Sequence, residues 1–330
     1  MINTILLPGL LAAAVAGLSP ILLRPLLGRW GVVDRPNHRS SHTQPTIRGG
    51  GVAQMLGVAV AGSVVYATFE DRLDHGISLM IVLGASLLAS IVGLVEDLRG
   101  VSTLLRAAIQ IIIGVVLSVF LISSSSYAMW MVPPLAIAYA AIINFTNFMD
   151  GVNGISSLYG TVVGISFACL GFINNLDWLV ASGTITAAAY LVFLPWNLAP
   201  SGMFLGDVGS YLLGALTAGM AIASAVSGIH PIAAMAPLAI YLADTVSTLV
   251  RRSLRGDPIF EAHRSHTYQK LTSRGMSHLG VASTVSLLSA ICGILGIAIE
   301  ADLLSIAFAS VLLIVLSSFY LIMPQLGKGK

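Results

Sequence analysis

Eleven runs of about 20 predominantly apolar residues follow one another along this chain, each long enough to cross a ~30 Å hydrocarbon layer as a helix. Lipid offers no partner for a backbone N–H or C=O, so a spanning segment must satisfy those groups internally. The runs are continuously apolar rather than alternating, which selects helices over barrel strands. The predicted spans are residues 2–23, 51–69, 77–95, 104–123, 128–149, 156–174, 178–195, 208–227, 232–250, 279–298 and 303–323. With 56% hydrophobic and only 9% charged residues, the chain is excluded from the soluble globular class, which carries roughly 25% charged residues. The expected fold is all-α: a polytopic integral membrane protein with about 11 transmembrane helices. Residues 1–330 are expected to form a single integral membrane domain, with no appended soluble domain and no internal repeat.

The charges then orient the chain. Fifteen of the sixteen Lys and Arg residues fall on one side when the spans are threaded through a bilayer, and only Arg72 lies opposite. Basic residues collect on the cytoplasmic side of bacterial membrane proteins. The first run has no basic residue before it and is followed by Arg24, Arg29, Arg35, Arg39 and Arg48, the reverse of a signal-peptide layout. It therefore reads as a retained span with its N-terminus outside. An odd number of spans returns the tail, with Lys328 and Lys330, to the cytoplasm. The expected location is the bacterial inner (cytoplasmic) membrane. The outer connections are short, whereas loops 24–50, 96–103, 150–156, 196–207 and 251–278 are polar and face the cytoplasm. Cys169 and Cys292 lie inside spans, so neither a disulfide framework nor a thiolate metal site is indicated.

Every polar motif falls on the basic side. At the end of the fifth span the chain reads Asn144-Phe-Thr-Asn147-Phe-Met-Asp150-Gly151-Val-Asn153-Gly154. Steps of three along a helix place Asn144, Asn147 and Asp150 within an arc of about 120°, a polar face at the inner end. A helix stop with amides on frayed carbonyls is the plainer reading, but intramembrane polar clusters are costly and usually functional. Between the third and fourth spans stand Glu96-Asp97, two adjacent carboxylates that repel unless a divalent cation or a basic group neutralises them. Arg106 follows, placed to snorkel or to hold a phosphate. In Phe204-Leu-Gly206-Asp207-Val-Gly209-Ser210, Asp207 is either an N-cap or, among its glycines, one carboxylate of a Mg²⁺ site. In His263-Arg264-Ser265-His266-Thr-Tyr268-Gln269-Lys270, two histidines three apart share a helical face and form a donor-rich patch for phosphate oxygens. Zinc lacks further ligands nearby, and contact with lipid headgroups is the alternative. Gly49-Gly50-Gly51 after Arg48 is not a dinucleotide fingerprint, because strand and spacing are missing.

Taken together, these strings resemble the polyprenyl-phosphate N-acetylhexosamine-1-phosphate transferases (glycosyltransferase family 4), over nearly the whole chain. The resemblance rests on Val33 to Asn37 with Arg48 to Gly51, Glu96-Asp97, Asn144 to Gly154, Asn197 with Phe204 to Ser210, Asp244, and His263 to Gln269. It implies attack by a polyprenyl (undecaprenyl) phosphate on the β-phosphate of a UDP-N-acetylhexosamine, giving lipid-diphosphate-sugar and UMP. Mg²⁺ is the implied cofactor, with Mn²⁺ as the alternative. By the same resemblance Asp97, Glu96 and Asp150 are the catalytic candidates, and Asp207 with Asp97 the metal ligands. Asn144, Asn147, Asn153, Asn197, Arg48, Arg106, His263, Arg264 and His266 are the substrate-binding candidates. Glu96 stands where the family has a first Asp, and Asn153 where it has another acidic residue, which leaves the metal count and the role of Glu96 open. Ser40-Ser41-His42 and the His-x-x-His-x-Tyr-Gln form look most like the branch that initiates O-antigen or other surface polysaccharide. The peptidoglycan branch, which makes phospho-MurNAc-pentapeptide lipid, is the alternative.

The physical chemistry agrees with that implication. Both reactants are anionic, so a cation and an Arg/His patch are needed to bring them together. A phosphate monoester has its second pKa near ~6, so the nucleophile is already ionised at neutral pH and Asp97 need not be a strong base. A transporter would carry repeats and midplane charges, but Asp244 is the only acidic residue well inside a span. A CDP-alcohol phosphotransferase would carry a multi-aspartate helix, which is absent. Membrane lipid is an expected partner and nucleic acid is not. The chain leaves a homodimer, the sugar and the lipid length open.

Overall fold

A computed structural model describes residues 2–34, 45–69, 76–199, 202–258 and 264–326. Of the segments singled out above, Arg35 to Asn37, Arg39 to His42, Arg72, His263, Lys328 and Lys330 lie outside the described residues. The described residues hold fourteen helices: α1 (Ile2–Arg29), α2 (Val52–Phe69), α3 (Gly76–Arg99), α4 (Thr103–Ser123), α5 (Val132–Met149), α6 (Ile155–Ile173), α7 (Asp177–Leu191), α8 (Leu194–Leu198), α9 (Gly206–Val226), α10 (Pro231–Met235), α11 (Ala239–Arg255), α12 (Thr267–Ser273), α13 (His278–Glu300) and α14 (Ile306–Leu326). Ten helical stretches are long and apolar enough to cross a membrane, and a shorter apolar helix, Val52–Thr68, adds an eleventh run. The all-α polytopic architecture read from hydropathy is therefore what forms.

Local chemistry sets the helix ends. Ser102 opens α4 by accepting from the Leu105 N–H, and Ser277 opens α13 by accepting from the Gly280 N–H, each satisfying one orphan donor of a first turn. Gly256 closes α11 in the left-handed conformation (φ 73°). The ninth span is not one smooth helix: α10 passes through a 3-10 turn at Ala236–Leu238 before α11, where Pro237 removes a backbone donor. β1 (Val33–Asp34) and β2 (Thr46–Ile47) pair antiparallel, and Ile47 also bridges in parallel to Met203.

The helix α9 is the axis of the bundle. Its apolar window is 94% buried against 22% for α1 and 17% for α14, so α9 is enclosed by protein while the two terminal helices face outward. Its sequence explains how it can be enclosed. Without a hydrophobic drive between helices in lipid, close backbone approach through small residues supplies the packing. A Cβ at Gly93 of α3 would collide with the Asp207 backbone, one at Gly51 with Gly209, and one at Gly214 with the Ile143 backbone of α5. These contacts bring the C-terminal ends of α3 and α5 and the N-terminal ends of α2 and α9 together at one end of the bundle. That end holds the polar motifs.

The same rule predicts a measurable cost at the α6–α7 crossing, where a Cβ on Gly164 would strike the Gly183 carbonyl and Ala187 backbone. Gly164→Val should destabilise the fold by about 1–3 kcal/mol, seen as a lower apparent Tm in detergent. Gly84→Val, which meets open space, should melt like wild type. Equal melting of the two variants would contradict this packing.

Candidate active site

The N-terminus of α9 is capped by a side chain from another helix. Asp97, in the last turn of α3, accepts from the Asp207 N–H through Oδ1 and from the Val208 N–H through Oδ2, both at 3.0 Å. A helix start carries unsatisfied N–H groups and a partial positive charge, so a carboxylate there is held by hydrogen bonds and dipole together. The approach requires Gly206, which has φ 76° and whose Cβ would strike the Asp97 carboxylate. Ser90 of α3 donates to the Val208 carbonyl at 2.9 Å. Asp207 is therefore not the N-cap that its position allowed; it lies in the first turn and projects its own carboxylate beside that of Asp97.

Two guanidinium groups neutralise this pair. Arg48 reaches Asp97 Oδ1 with Nε at 2.6 Å and Asp207 Oδ1 with Nη2 at 2.9 Å. It is aimed by the segment 46–51, whose Gly50 and Gly51 N–H groups donate to the Phe204 and Leu205 carbonyls. Arg106 of α4 donates to Glu96 Oε1 at 3.2 Å and Tyr211 Oη at 2.9 Å, and stands 3.7 Å from Asp207 Oδ2. Glu96 also accepts from the Val101 N–H, so it steadies the α3–α4 turn and Arg106. The Asp97 side chain is wholly buried, that of Asp207 is 13% exposed and that of Arg48 37%, so the outward face of the cluster is Arg48 and Asp207.

The polar arc expected at the end of α5 divides among three partners. Asn144 donates to Gln110 Oε1 of α4 and to its own helix at Ala140, facing away from the carboxylates. Asn147 donates from Nδ2 to Asp207 Oδ1 and to Ser210 Oγ, which leaves its Oδ1 as an acceptor for a ligand. Asp150 is not on the helix: α5 ends at Met149, and Asp150 has φ −83° and ψ 53°. The common face therefore ends one residue early, because the chain turns at Asp150-Gly151. Asp150 instead accepts from Ser156 Oγ at 2.6 Å. Burial pushes its carboxyl up to about 7 against the Ser156 bond; Asp207 and Asp97 raise it further, while Arg48 lowers it. All three carboxylates thus share one electrostatic environment. Asn197 of α8 holds the Gly154 N–H with Oδ1 and the Met203 carbonyl with Nδ2, clamping two loops together. The Asn153 N–H donates to His278 Nδ1 at 3.4 Å.

On the α12 side, the His263/His266 helical face does not extend to His266, whose backbone is extended (φ −64°, ψ 151°) as the N-cap of α12. His266 is buried, and its Nδ1 lies 3.2 Å from Asp244 Oδ1. Arg264 is exposed. Lys270 titrates below its usual range because it is partly buried and lies near Arg251 and Arg255. Gln110, Ser156 and Tyr211 complete the site without having been singled out from sequence. Gln110 carried a usable signal, as a lone amide in an apolar span; Ser156 and Tyr211 carried none beyond adjacency to motifs.

Among the described residues no three His, Cys, Asp or Glu side chains form a ready metal cluster. The donors that face outward, Asp207 and the Asn147 amide oxygen, are hard oxygens. That set fits a cation which takes one or two protein carboxylates and leaves its other positions to water and phosphate.

Residues 79–225, from α3 through α9, match glycosyl transferase family 4. A probable undecaprenyl-phosphate N-acetylglucosaminyl 1-phosphate transferase of Bacillus subtilis is 26% identical, over 81% of this chain and 78% of its own length. A decaprenyl-phosphate N-acetylglucosaminephosphotransferase of Mycolicibacterium smegmatis is 28% identical over 82% and 76%. An undecaprenyl-phosphate alpha-N-acetylglucosaminyl 1-phosphate transferase of Escherichia coli is 26% identical over 84% and 79%. Over its central helices the chain is similar to glycosyl transferase family 4. The family 4 match contains Glu96, Asp97, Asn144, Asn147, Asp150 and Asp207, while Arg48 reaches the cluster from outside it.

Asp150 gives a pH test. Folded, it holds its proton up to about pH 7, whereas an unfolded Asp releases it near ~4. The unfolded chain binds fewer protons in that window, so wild-type stability falls as pH rises through it. Asp150→Asn does not titrate and can still accept from Ser156. Its apparent Tm relative to wild type should therefore become more positive between about pH 5 and pH 8. A flat or reversed difference would show that burial does not control this carboxyl.

Proposed function

We propose that this chain transfers N-acetylhexosamine 1-phosphate from a UDP-sugar to polyprenyl phosphate at the cytoplasmic border of a bacterial inner membrane. The names of its relatives support the acceptor and the transferred group, and point to N-acetylglucosamine as the sugar to test first. The observation that carries the reading is Arg48 bridging Asp97 and Asp207 at the ends of apolar helices, where a lipid phosphate and a soluble nucleotide can meet.

An oxygen of the lipid phosphate attacks the β-phosphorus of the UDP-sugar. The bond from that phosphorus to the oxygen bridging to the α-phosphate breaks, and UMP leaves with the electron pair. Arg48 and Arg106 offer donors for phosphate oxygens as charge spreads in the transition state. Asp97 has its oxygens engaged by two backbone N–H groups and Arg48, which supports direct displacement over a phosphorylated Asp97. It positions α9 and Arg48. Asp207 and Asn147 would hold Mg²⁺, which when bound supplies charge neutralisation between the two anions. Initiation of a surface polysaccharide such as O-antigen is the role we assign to the product.

Purified protein given UDP-N-acetylglucosamine, undecaprenyl phosphate and Mg²⁺ should release UMP only when both substrates are present, and chelation should stop it. Asp207→Asn should lower kcat/KM by about 10²-fold or more, as loss of a charge-stabilising group does. UMP release without the lipid, or full activity of the variant, would overturn the assignment. For orientation, a cysteine added as Ser273→Cys, on the exposed end of α12, in a Cys169→Ser background that keeps only the buried Cys292 should react with a membrane-impermeant maleimide only in inside-out vesicles. Labelling in intact cells would place this face outside.

A further inference from the structure

Asp244 is wholly buried in α11, yet it belongs to no carboxylate of the cluster described above. Its oxygens are surrounded by donors from four places. Oδ1 accepts from the Thr267 N–H at 2.8 Å and the Thr248 hydroxyl at 3.3 Å, with His266 Nδ1 at 3.2 Å. Oδ2 accepts from the Tyr268 N–H at 3.2 Å and the Tyr320 hydroxyl of α14 at 2.6 Å. The two backbone donors are the first N–H groups of α12, which have no partner inside that short helix. α12 is thus fastened at its start by a carboxylate from a different helix.

The fastening continues towards the transferase centre. Tyr268, buried in the first turn of α12, donates from its hydroxyl to the Phe148 carbonyl at 3.0 Å, in the last turn of α5. Its hydroxyl packs so closely on Gly151 that a Cβ there could not be accommodated. One residue earlier in the chain stands Asp150, and one turn before that Asn147. A continuous path of hydrogen bonds therefore runs from α14 through Asp244 and α12 to the turn that places Asp150.

We infer that Asp244 is a positioning residue for the transferase: by fixing the start of α12 it sets both the Arg264–His266 segment and, through the Tyr268 hydroxyl, the α5–α6 turn. It touches neither substrate. A buried carboxylate is suited to this because breaking one member of such a network leaves the remaining charge-assisted donors unpaired. Asparagine in its place keeps the shape but presents an NH₂ group where one oxygen had accepted, so one of the two α12 N–H groups loses its partner.

The kinetic arm of the test rests on the transferase reading; the exchange arm does not. Asp244→Asn, Tyr268→Phe and the double variant are compared with wild type for UMP release and for amide hydrogen exchange in peptides 264–273 and 148–155. Asp244→Asn should raise KM for the UDP-sugar about tenfold, with kcat within about threefold and KM for polyprenyl phosphate unchanged. Exchange should rise in both peptides. Tyr268→Phe should raise exchange chiefly in 148–155, and the double variant should be no worse than Asp244→Asn, because both changes break the same tether. Additive losses, wild-type exchange in 264–273, or equal falls in kcat/KM for both substrates would overturn the inference. Should Asp244→Asn not fold, Tyr268→Phe decides alone, and its wild-type exchange in 148–155 would overturn it. Inactive wild-type protein with the expected exchange pattern would count against the transferase reading and leave the tether standing.

Discussion

A carboxylate with no solvent exposure holds the centre of this protein together. Asp97 sits on the first N–H groups of α9, and α9 is the helix around which the others pack. That single contact fixes the axial position of α3 against α9 and delivers Asp207 to the same end. Two carboxylates so close would repel. Arg48 removes the repulsion by bridging them, which ties the 46–51 segment to the bundle. Cap, charge pair and loop position are consequently one arrangement.

The side chains around this point divide into those whose polar atoms are taken up within the protein and those that face outward. Asp97, Asn197 and Asp244 each engage backbone groups of a neighbouring element. Arg48 and Asp207 pair with each other but keep partly exposed side chains, 37% and 13%, and these would meet the proposed substrates. The division follows from burial in a membrane protein, where an unpartnered polar group has no water to turn to. Groups that hold the fold must be completed by protein, and groups that meet a substrate must be completed by it.

Hydropathy made the eleven apolar runs legible, because a segment in lipid can be long and apolar in only a few ways. The motif strings were legible in combination: Asp97 and Asp207 meet through Arg48, and Asp150 accepts from Ser156 in the turn after α5. Local geometry was less so. The three-residue spacing of Asn144, Asn147 and Asp150 suggested one face, but the helix stops before Asp150 and Asn144 turns to Gln110. The His266 position suggested a helix, but its extended backbone makes it a cap. Periodicity says where a side chain would point if the helix continued; it does not say where the helix stops.

What the amino-acid order determined by itself is the class of molecule: many apolar helices, charged at one set of ends, with glycines spaced so that backbones can touch. Those are properties of short segments in a solvent without hydrogen bonds. Which carboxylate caps which helix, which amide faces a ligand, and that Asp244 fastens α12 were decided only when distant segments packed together. The first two depend on groups 60 to 110 positions apart and the third on groups 23 positions apart, and no local pattern encodes those choices.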